Sequence, residues 1–125
     1  MTETEVIDHW RNGARSELQS AKLLADGGQY SGALFHCHLA VEKGLKAQYM
    51  EELREEPPPT HNLVFVAEKL KREWSDDEKR QLDSLTQYAV AARYDDPAWA
   101  EHEATAENAA RWIEYTDHFL TTLLP

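Results

Sequence analysis

Apolar residues recur at steps of three and four along most of the chain, and this spacing gathers them on one face of an α-helix. Five such stripes follow one another: Val6, Ile7, Trp10, Ala14, Leu18, Ala21 and Leu24; Leu34, Cys37, Val41, Leu45 and Tyr49; Leu63, Val66, Ala67 and Leu70; Leu82, Leu85, Tyr88, Ala89 and Ala92; Ala109, Ile113, Thr116, Leu120 and Leu123. No segment alternates with the period of two that β-strands require. The sequence therefore predicts an all-α fold, an up-and-down bundle of four to five helices.

Capping residues mark where the helices begin. The segments Thr2–Glu5 and Ser75–Glu78 have the spacing of a capping box, in which the first and fourth residues satisfy each other's backbone N–H groups. Asn62 or Thr60 can cap a shorter helix between them, because their side chains accept hydrogen bonds from free backbone N–H groups. We therefore expect helices to begin at these three places.

Glycine and proline mark where helices end. Gly27 and Gly28 follow the first stripe, and the run Glu55–Pro59 follows the second, where proline cannot continue a helix. The fourth pattern stops near Arg93, and residues Asp95–Ala104 are expected to form a loop. The short glycine turn makes the first two helices an antiparallel hairpin.

Length and composition indicate one domain. A chain of 125 residues with 42% hydrophobic and 29% charged residues can bury one core, so residues 1–125 are expected to fold as a single unit. The chain shows neither a membrane-spanning stretch nor a basic signal peptide, and the lone Cys37 cannot form an internal disulfide. These features predict a cytoplasmic protein without a membrane contact.

The formal net charge is −10, which disfavours unspecific attraction to a phosphate backbone. Any contact with nucleic acid must therefore depend on a local group of cations. The acidic excess also serves simply as a solubilising surface.

The second helix carries the most informative polar residues. His38, Glu42 and Lys46 are spaced by four and share one face, and His36 and Lys43, seven apart, form a neighbouring row. Such a face can be an ordinary Glu42–Lys46 ion pair with half-buried histidines beside it. It can equally be a binding site, and the spacing alone leaves both interpretations open.

Metal binding and cysteine chemistry find little support. His36 and His38 are two apart and point to nearly opposite sides of a helix, so they cannot chelate one ion together. His38 and Glu42 have a bidentate spacing, but no motif supplies further ligands. Cys37 falls on the apolar stripe, where thiols are normally buried and inert. We expect no metal site and no cofactor.

Three segments carry motifs beyond simple periodicity. Residues Tyr30–Ala47 read YSGALFHCHLAVEKGLKA, residues Pro58–Leu63 read PPTHNL, and residues Ala92–Asp96 read ARYDD. In this order they resemble the second helix, the following loop and an Ala-Arg-Tyr-Pro-Asp element of the HEPN domain family. The second-helix run is the most specific of the three.

The resemblance implies an α-helical bundle that is usually a homodimer and is often encoded beside a minimal nucleotidyltransferase, as a toxin–antitoxin or resistance-like pair. The ligand is expected to be a nucleotide or RNA. In the catalytic branches of the family the activity is metal-independent endoribonuclease cleavage, which depends on an Arg-x4-6-His motif. There the histidine moves a proton and the arginine stabilises phosphate charge.

This sequence departs from that motif, because eight residues separate Arg93 from His102. Arg93 and His102 remain the candidate catalytic pair at the expected place. Two other arginine–histidine pairs have the required spacing, and accident alone should yield about one such pair in a chain of this composition. They are Arg54 with His61, and Arg111 with His118.

The motif residues predict a ligand-binding pocket that contains cations in an otherwise acidic chain. Its expected members are His36, Glu42, Lys43, Lys46, His61 and Arg93. A structural alternative pairs Glu42 with Arg93 across helices, with His36 and His61 capping helices or filling the core. Three functions follow: a noncatalytic partner of a nucleotidyltransferase, a ribonuclease toxin, or an oligomerisation module with an aromatic face that includes Trp99.

Overall fold

A computed structural model describes all residues from Met1 to Pro125, and every regular element in it is an α-helix. The helices are α1 (Glu3–Asp26), α2 (Tyr30–Leu53), α3 (Leu63–Ala67), α4 (Asp76–Arg93), α5 (Pro97–His102) and α6 (Ala106–Leu123). The four long helices form a bundle, and α3 and α5 are short pieces in its connections. The predicted all-α bundle is confirmed. No helix is both long enough and apolar enough to cross a membrane.

Side-chain caps begin the helices where the sequence predicts them. Both capping boxes, Thr2–Glu5 and Ser75–Glu78, are formed with reciprocal hydrogen bonds. Asn62 is the cap of α3, and its side-chain oxygen accepts from the backbone N–H of Phe65 at 3.0 Å. The Thr60 hydroxyl oxygen instead accepts from the N–H of Asn62 at 3.1 Å. Local side-chain chemistry therefore fixes these helix starts.

The expectation of a loop over Asp95–Ala104 is wrong, because α5 lies within it. Asp96 caps this short helix by accepting hydrogen bonds from two backbone N–H groups of its first turn, at 3.0 and 3.2 Å. Trp99 in α5 packs on Tyr88 of α4 with 5.9 Å between ring centroids. Six residues make fewer than two turns, too short for an apolar stripe, so this helix depends on its cap and on an aromatic contact.

Helix α2 lies at the centre of the bundle and packs against α1, α3, α4 and α6. Its apolar stripe is buried, and its Gly44 faces side chains of α6. A β-carbon at Gly44 would lie 2.8 Å from Cδ2 of Leu120, a core residue of α6. The absence of a side chain at this position therefore leaves room for Leu120 to pack closely against α2.

We expect Gly44→Leu to lower the free energy of unfolding by about 1–3 kcal/mol, the usual cost of inserting a side chain into a packed core. Leucine is a good helix former, so the loss reports packing and not helix propensity. Urea denaturation followed by circular dichroism measures it. Gln19→Leu, on the exposed face of α1, is the matched control and should change stability by less than about 0.5 kcal/mol. Equal stability of the two variants would contradict the close approach.

Candidate functional site

Three polar side chains of α2 are buried, and Thr116 of α6 is the other buried polar residue. His38, Glu42 and Lys46 are only 1%, 7% and 6% exposed. Oε1 of Glu42 accepts a hydrogen bond from Nδ1 of His61 at 2.8 Å, and Oε2 accepts one from Nζ of Lys46 at 3.3 Å. We call these four residues the buried polar cluster. Each oxygen of the buried carboxylate therefore has a donor, as buried charges require.

His38 holds the backbone at His61. Nε2 of His38 lies 2.9 Å from the carbonyl oxygen of His61, and a carbonyl can only accept, so Nε2 carries the proton. Nδ1 of His38 is buried without a hydrogen-bond partner. Burial lowers the pKa of His38 below its usual value, although the hydrogen bond to His61 opposes this shift. His38 is therefore a neutral donor at neutral pH.

The buried polar cluster joins three parts of the chain. His61 belongs to the connection between α2 and α3, which contains the proline run Pro57–Pro59. Glu42 holds the His61 ring and His38 holds its carbonyl group, while Nζ of Lys46 lies 5.9 Å from the ring centroid of Trp10 in α1. The cluster thus fastens the proline connection to α2 and brings α1 alongside.

A second carboxylate, Glu17 of α1, binds the other polar row of α2. Its two oxygens lie 3.0 Å from Nδ1 of His36 and 3.0 Å from Nζ of Lys43. Burial alone would raise the pKa of Glu17, but the hydrogen bonds from Lys43 and His36 outweigh it and lower the pKa. Glu17 is therefore an ionised acceptor. The sequence motifs missed it, although its spacing from Ala14 and Ala21 by three and four residues places it beside the buried stripe.

Arg93 lies at the end of α4 and lines a groove against the first turns of α2. The groove has a volume of about 290 Å³ and is lined by Ser31, Gly32, Phe35, His36, Ala92 and Arg93. Arg93 is exposed and has no carboxylate within 4.0 Å. Phe35 and His36 stand edge to face with ring centroids 5.9 Å apart. We call this the Arg93 groove.

The structure divides the six residues of the predicted pocket between different places. His36 and Arg93 share the Arg93 groove, and Lys43 is joined to His36 through Glu17. Glu42, Lys46 and His61 instead belong to the buried polar cluster.

The pairing of Glu42 with Arg93 that the structural alternative required does not form, since His61 and Lys46 already occupy both oxygens of Glu42. Sequence spacing could not show this, because the loop that delivers His61 is long and irregular. Nor do His36 and His61 fill the core, as the structural alternative expected. Their side chains are 29% and 61% exposed.

The arginine–histidine pairs are likewise separated or engaged elsewhere. His102, at the end of α5, is exposed and does not line the Arg93 groove. Arg54 binds Glu3 at 3.0 Å. Arg111 and His118 line two different cavities of α6, so their matching spacing does not place them around one shared ligand space.

A sequence profile of the HEPN domain matches residues 7–124, nearly the whole chain. This chain belongs to the HEPN domain family. The crystal structure of TT1696 from Thermus thermophilus has a similar fold, with a TM-score of 0.80 and 21% sequence identity over 94% of each chain. At that identity the likeness concerns the fold alone. No curated protein sequence matches the chain at a significant level.

We expect this HEPN domain to lose stability as the pH falls below about 6.5, the usual pKa of a histidine. Because the pKa of His38 is lowered in the folded state, the unfolded chain binds more protons between the two pKa values, and acidification favours unfolding there. Glu17 adds a second loss as the pH falls from 4.5 through its own lowered pKa.

Melting temperatures recorded between about pH 8 and pH 5 measure the effect, a range that brackets the usual pKa of histidine. His38→Gln removes the titrating ring, so it should lower stability at neutral pH and flatten the fall below 6.5. His9→Gln replaces an exposed histidine of α1 and should leave the wild-type profile in place. Parallel profiles for wild type and His38→Gln would show that His38 is not the group responsible.

Proposed function

We propose that this HEPN domain is a noncatalytic module that binds a nucleotide or RNA in the Arg93 groove and works as a homodimer with a minimal nucleotidyltransferase. The observation that carries the proposal is Arg93, a guanidinium without a carboxylate partner in a chain of net charge −10. Arg93 is one of three arginines of the chain that form no ion pair with a carboxylate, and it is the one that lines this groove. Its freedom leaves the donors available for an anion from outside.

The Arg93 groove offers the three kinds of contact that a nucleotide uses. The Arg93 guanidinium suits phosphate oxygens, the Phe35 ring suits stacking by a base, and His36 adds a further polar group. A volume of about 290 Å³ is at the lower end for small-molecule sites, which fits one nucleotide unit.

His102, the motif's candidate partner of Arg93, lies outside the groove, which supports binding without the catalysis expected of that pair. Cleavage of RNA without a metal needs a proton acceptor and a phosphate-stabilising cation at the same phosphodiester. Arg93 lies in the groove, whereas His102 lies on α5 outside its lining. The eight-residue spacing between Arg93 and His102 in the sequence and their separation in the structure both argue against this pair as a catalytic site.

The protein partners follow from the family and from the surface beside Arg93. Tyr94 and Val90 at the end of α4 are 75% and 45% exposed, and exposed apolar side chains of this size often lie in protein contacts. A homodimer, a nucleotidyltransferase partner in a toxin–antitoxin-like pair and a cytoplasmic location remain predictions from the sequence and its family.

We expect Arg93→Ala to weaken binding of a fluorescent single-stranded oligoribonucleotide by at least about tenfold, because a charged hydrogen bond to phosphate is lost. Fluorescence anisotropy measures the affinity. The melting temperature should hardly change, since Arg93 is exposed and makes no ion pair in the fold. Arg111→Ala removes an exposed arginine of α6 and is the matched control that should retain binding. A large loss of stability in Arg93→Ala would instead identify Arg93 as a structural residue.

Induced expression in a growing bacterial culture separates this proposal from the ribonuclease alternative. A noncatalytic module should leave growth unchanged. An active ribonuclease toxin should arrest growth, and either His102→Ala or His118→Ala should relieve the arrest. Arrest by the intact protein, relieved by one of these two changes, would contradict the noncatalytic assignment.

A further inference from the structure

A cleft separates α4 from α6. Both helices pack against α2, but they make hardly any backbone contact with each other. Two neighbouring cavities, of about 270 and 380 Å³, lie in this gap and share Gln81 as a lining residue. We call the two cavities together the α4–α6 cleft. Three arginines and three aromatic residues line it: Arg72, Arg80 and Arg111, and Trp112, Tyr115 and Phe119.

Arg111 is the arginine of this cleft that has no carboxylate partner. Glu107 lies four residues before it on α6 and Glu114 three residues after it, and these are the spacings at which helical ion pairs form. Arg111 nevertheless pairs with neither, and its guanidinium carbon lies 5.7 Å from the ring centroid of Trp112. Because Arg111 is also exposed, its hydrogen-bond donors are available to an anion from outside.

The rest of the cleft has the composition of a protein contact. Its floor is aromatic: Trp112 and Phe119 are only 4% and 8% exposed, and Tyr115 packs on both, with ring centroids 5.0 and 5.9 Å away. At the rim, Arg72 and Arg80 each bind a carboxylate in the first turn of α4. Tryptophan, tyrosine and arginine are the residues that most often supply the binding energy of protein interfaces.

We propose that the α4–α6 cleft is a docking site for an acidic peptide segment of another protein, whose carboxylates bind Arg111 and whose apolar side chains contact the aromatic floor. The charge of the partner follows from Arg111, an unpaired cation in a chain of net charge −10. The inference is independent of the proposed function, because the cleft and the Arg93 groove share no lining residue.

A nucleic acid fits the same cleft less well. Its backbone carries a charge at every nucleotide, so it would meet Asp77 and Glu78, the two carboxylates that line the cleft, as well as the negative charge of the whole chain. An acidic peptide instead places a few charges at Arg111 and its apolar residues against the floor. The chemistry of the cleft therefore favours a peptide.

Peptides selected by phage display against the intact protein provide the probe. A random dodecapeptide library is first depleted on Arg111→Glu and then selected on the wild type, so that peptides bound elsewhere on the surface are removed. We expect the selected sequences to combine aspartate or glutamate with leucine or aromatic residues. This enrichment would run against the general preference of an acidic protein for basic ligands.

Affinities of a fluorescein-labelled selected peptide assign the contact to its residue. Fluorescence anisotropy should show at least about tenfold weaker binding by Arg111→Glu, because a charge-assisted hydrogen bond becomes a repulsion. A peptide in which one carboxylate is replaced by lysine should recover binding to this variant. Arg15→Glu makes the same change of charge at an exposed arginine of α1 that also lacks a carboxylate partner, and it should keep the wild-type affinity. Melting temperatures confirm that both variants are folded.

Three results would overturn the proposal. A selected peptide that binds the wild type and Arg111→Glu equally would remove the cleft as its site. A selection that yields only basic or uncharged peptides would contradict the acidic chemistry of the partner. Binding of single-stranded oligoribonucleotide that is lost in Arg111→Glu but kept in Arg15→Glu would assign the cleft to nucleic acid instead.

Discussion

The buried carboxylate of Glu42 is the interaction on which the arrangement of the central helix depends. Removing a carboxylate from water costs several kcal/mol, and Lys46 and His61 offset this cost by donating to its two oxygens. Loss of Glu42 would leave Lys46 as a buried cation without a partner, which is more damaging than loss of an exposed ion pair. The proline connection that carries His61 therefore has one register in which it can close on α2.

Because both oxygens of Glu42 are paired within the fold, only the other polar row of α2 can contact a ligand. The histidines of α2 face different carboxylates, as their spacing of two residues requires: His38 lies beside Glu42 and His36 binds Glu17. The first arrangement encloses its polar atoms, and only the His61 ring remains largely exposed. The second leaves His36 at the edge of a groove with Arg93. One helix thus separates a structural polar cluster from a surface that can meet a ligand.

The sequence predicts the long helices well because period and caps are local. The Thr2–Glu5 and Ser75–Glu78 capping boxes form as their residues predict. The sequence pattern does not reveal the short helix α5, because its six residues are too few to show an apolar stripe. The site is harder to predict from the sequence, because a motif identifies residues but not the residues that they contact in the folded chain. Glu42 and Arg93 occur in the first and third motifs, but His61 of the second motif, which lies in a loop, binds Glu42 where the structural alternative placed Arg93.

In the proposed function, the acidic surface makes Arg93, an arginine without an ion pair, more important for binding an anion. A chain of net charge −10 repels a phosphate backbone over the Debye length, so it gains little from the unspecific attraction on which basic nucleic-acid binders depend. In the proposed function, affinity must then come from contacts within the groove itself, where we propose that Arg93 binds phosphate and Phe35 stacks on a base. Under those conditions each short-range hydrogen bond has a large share in discrimination, because no background attraction masks its loss.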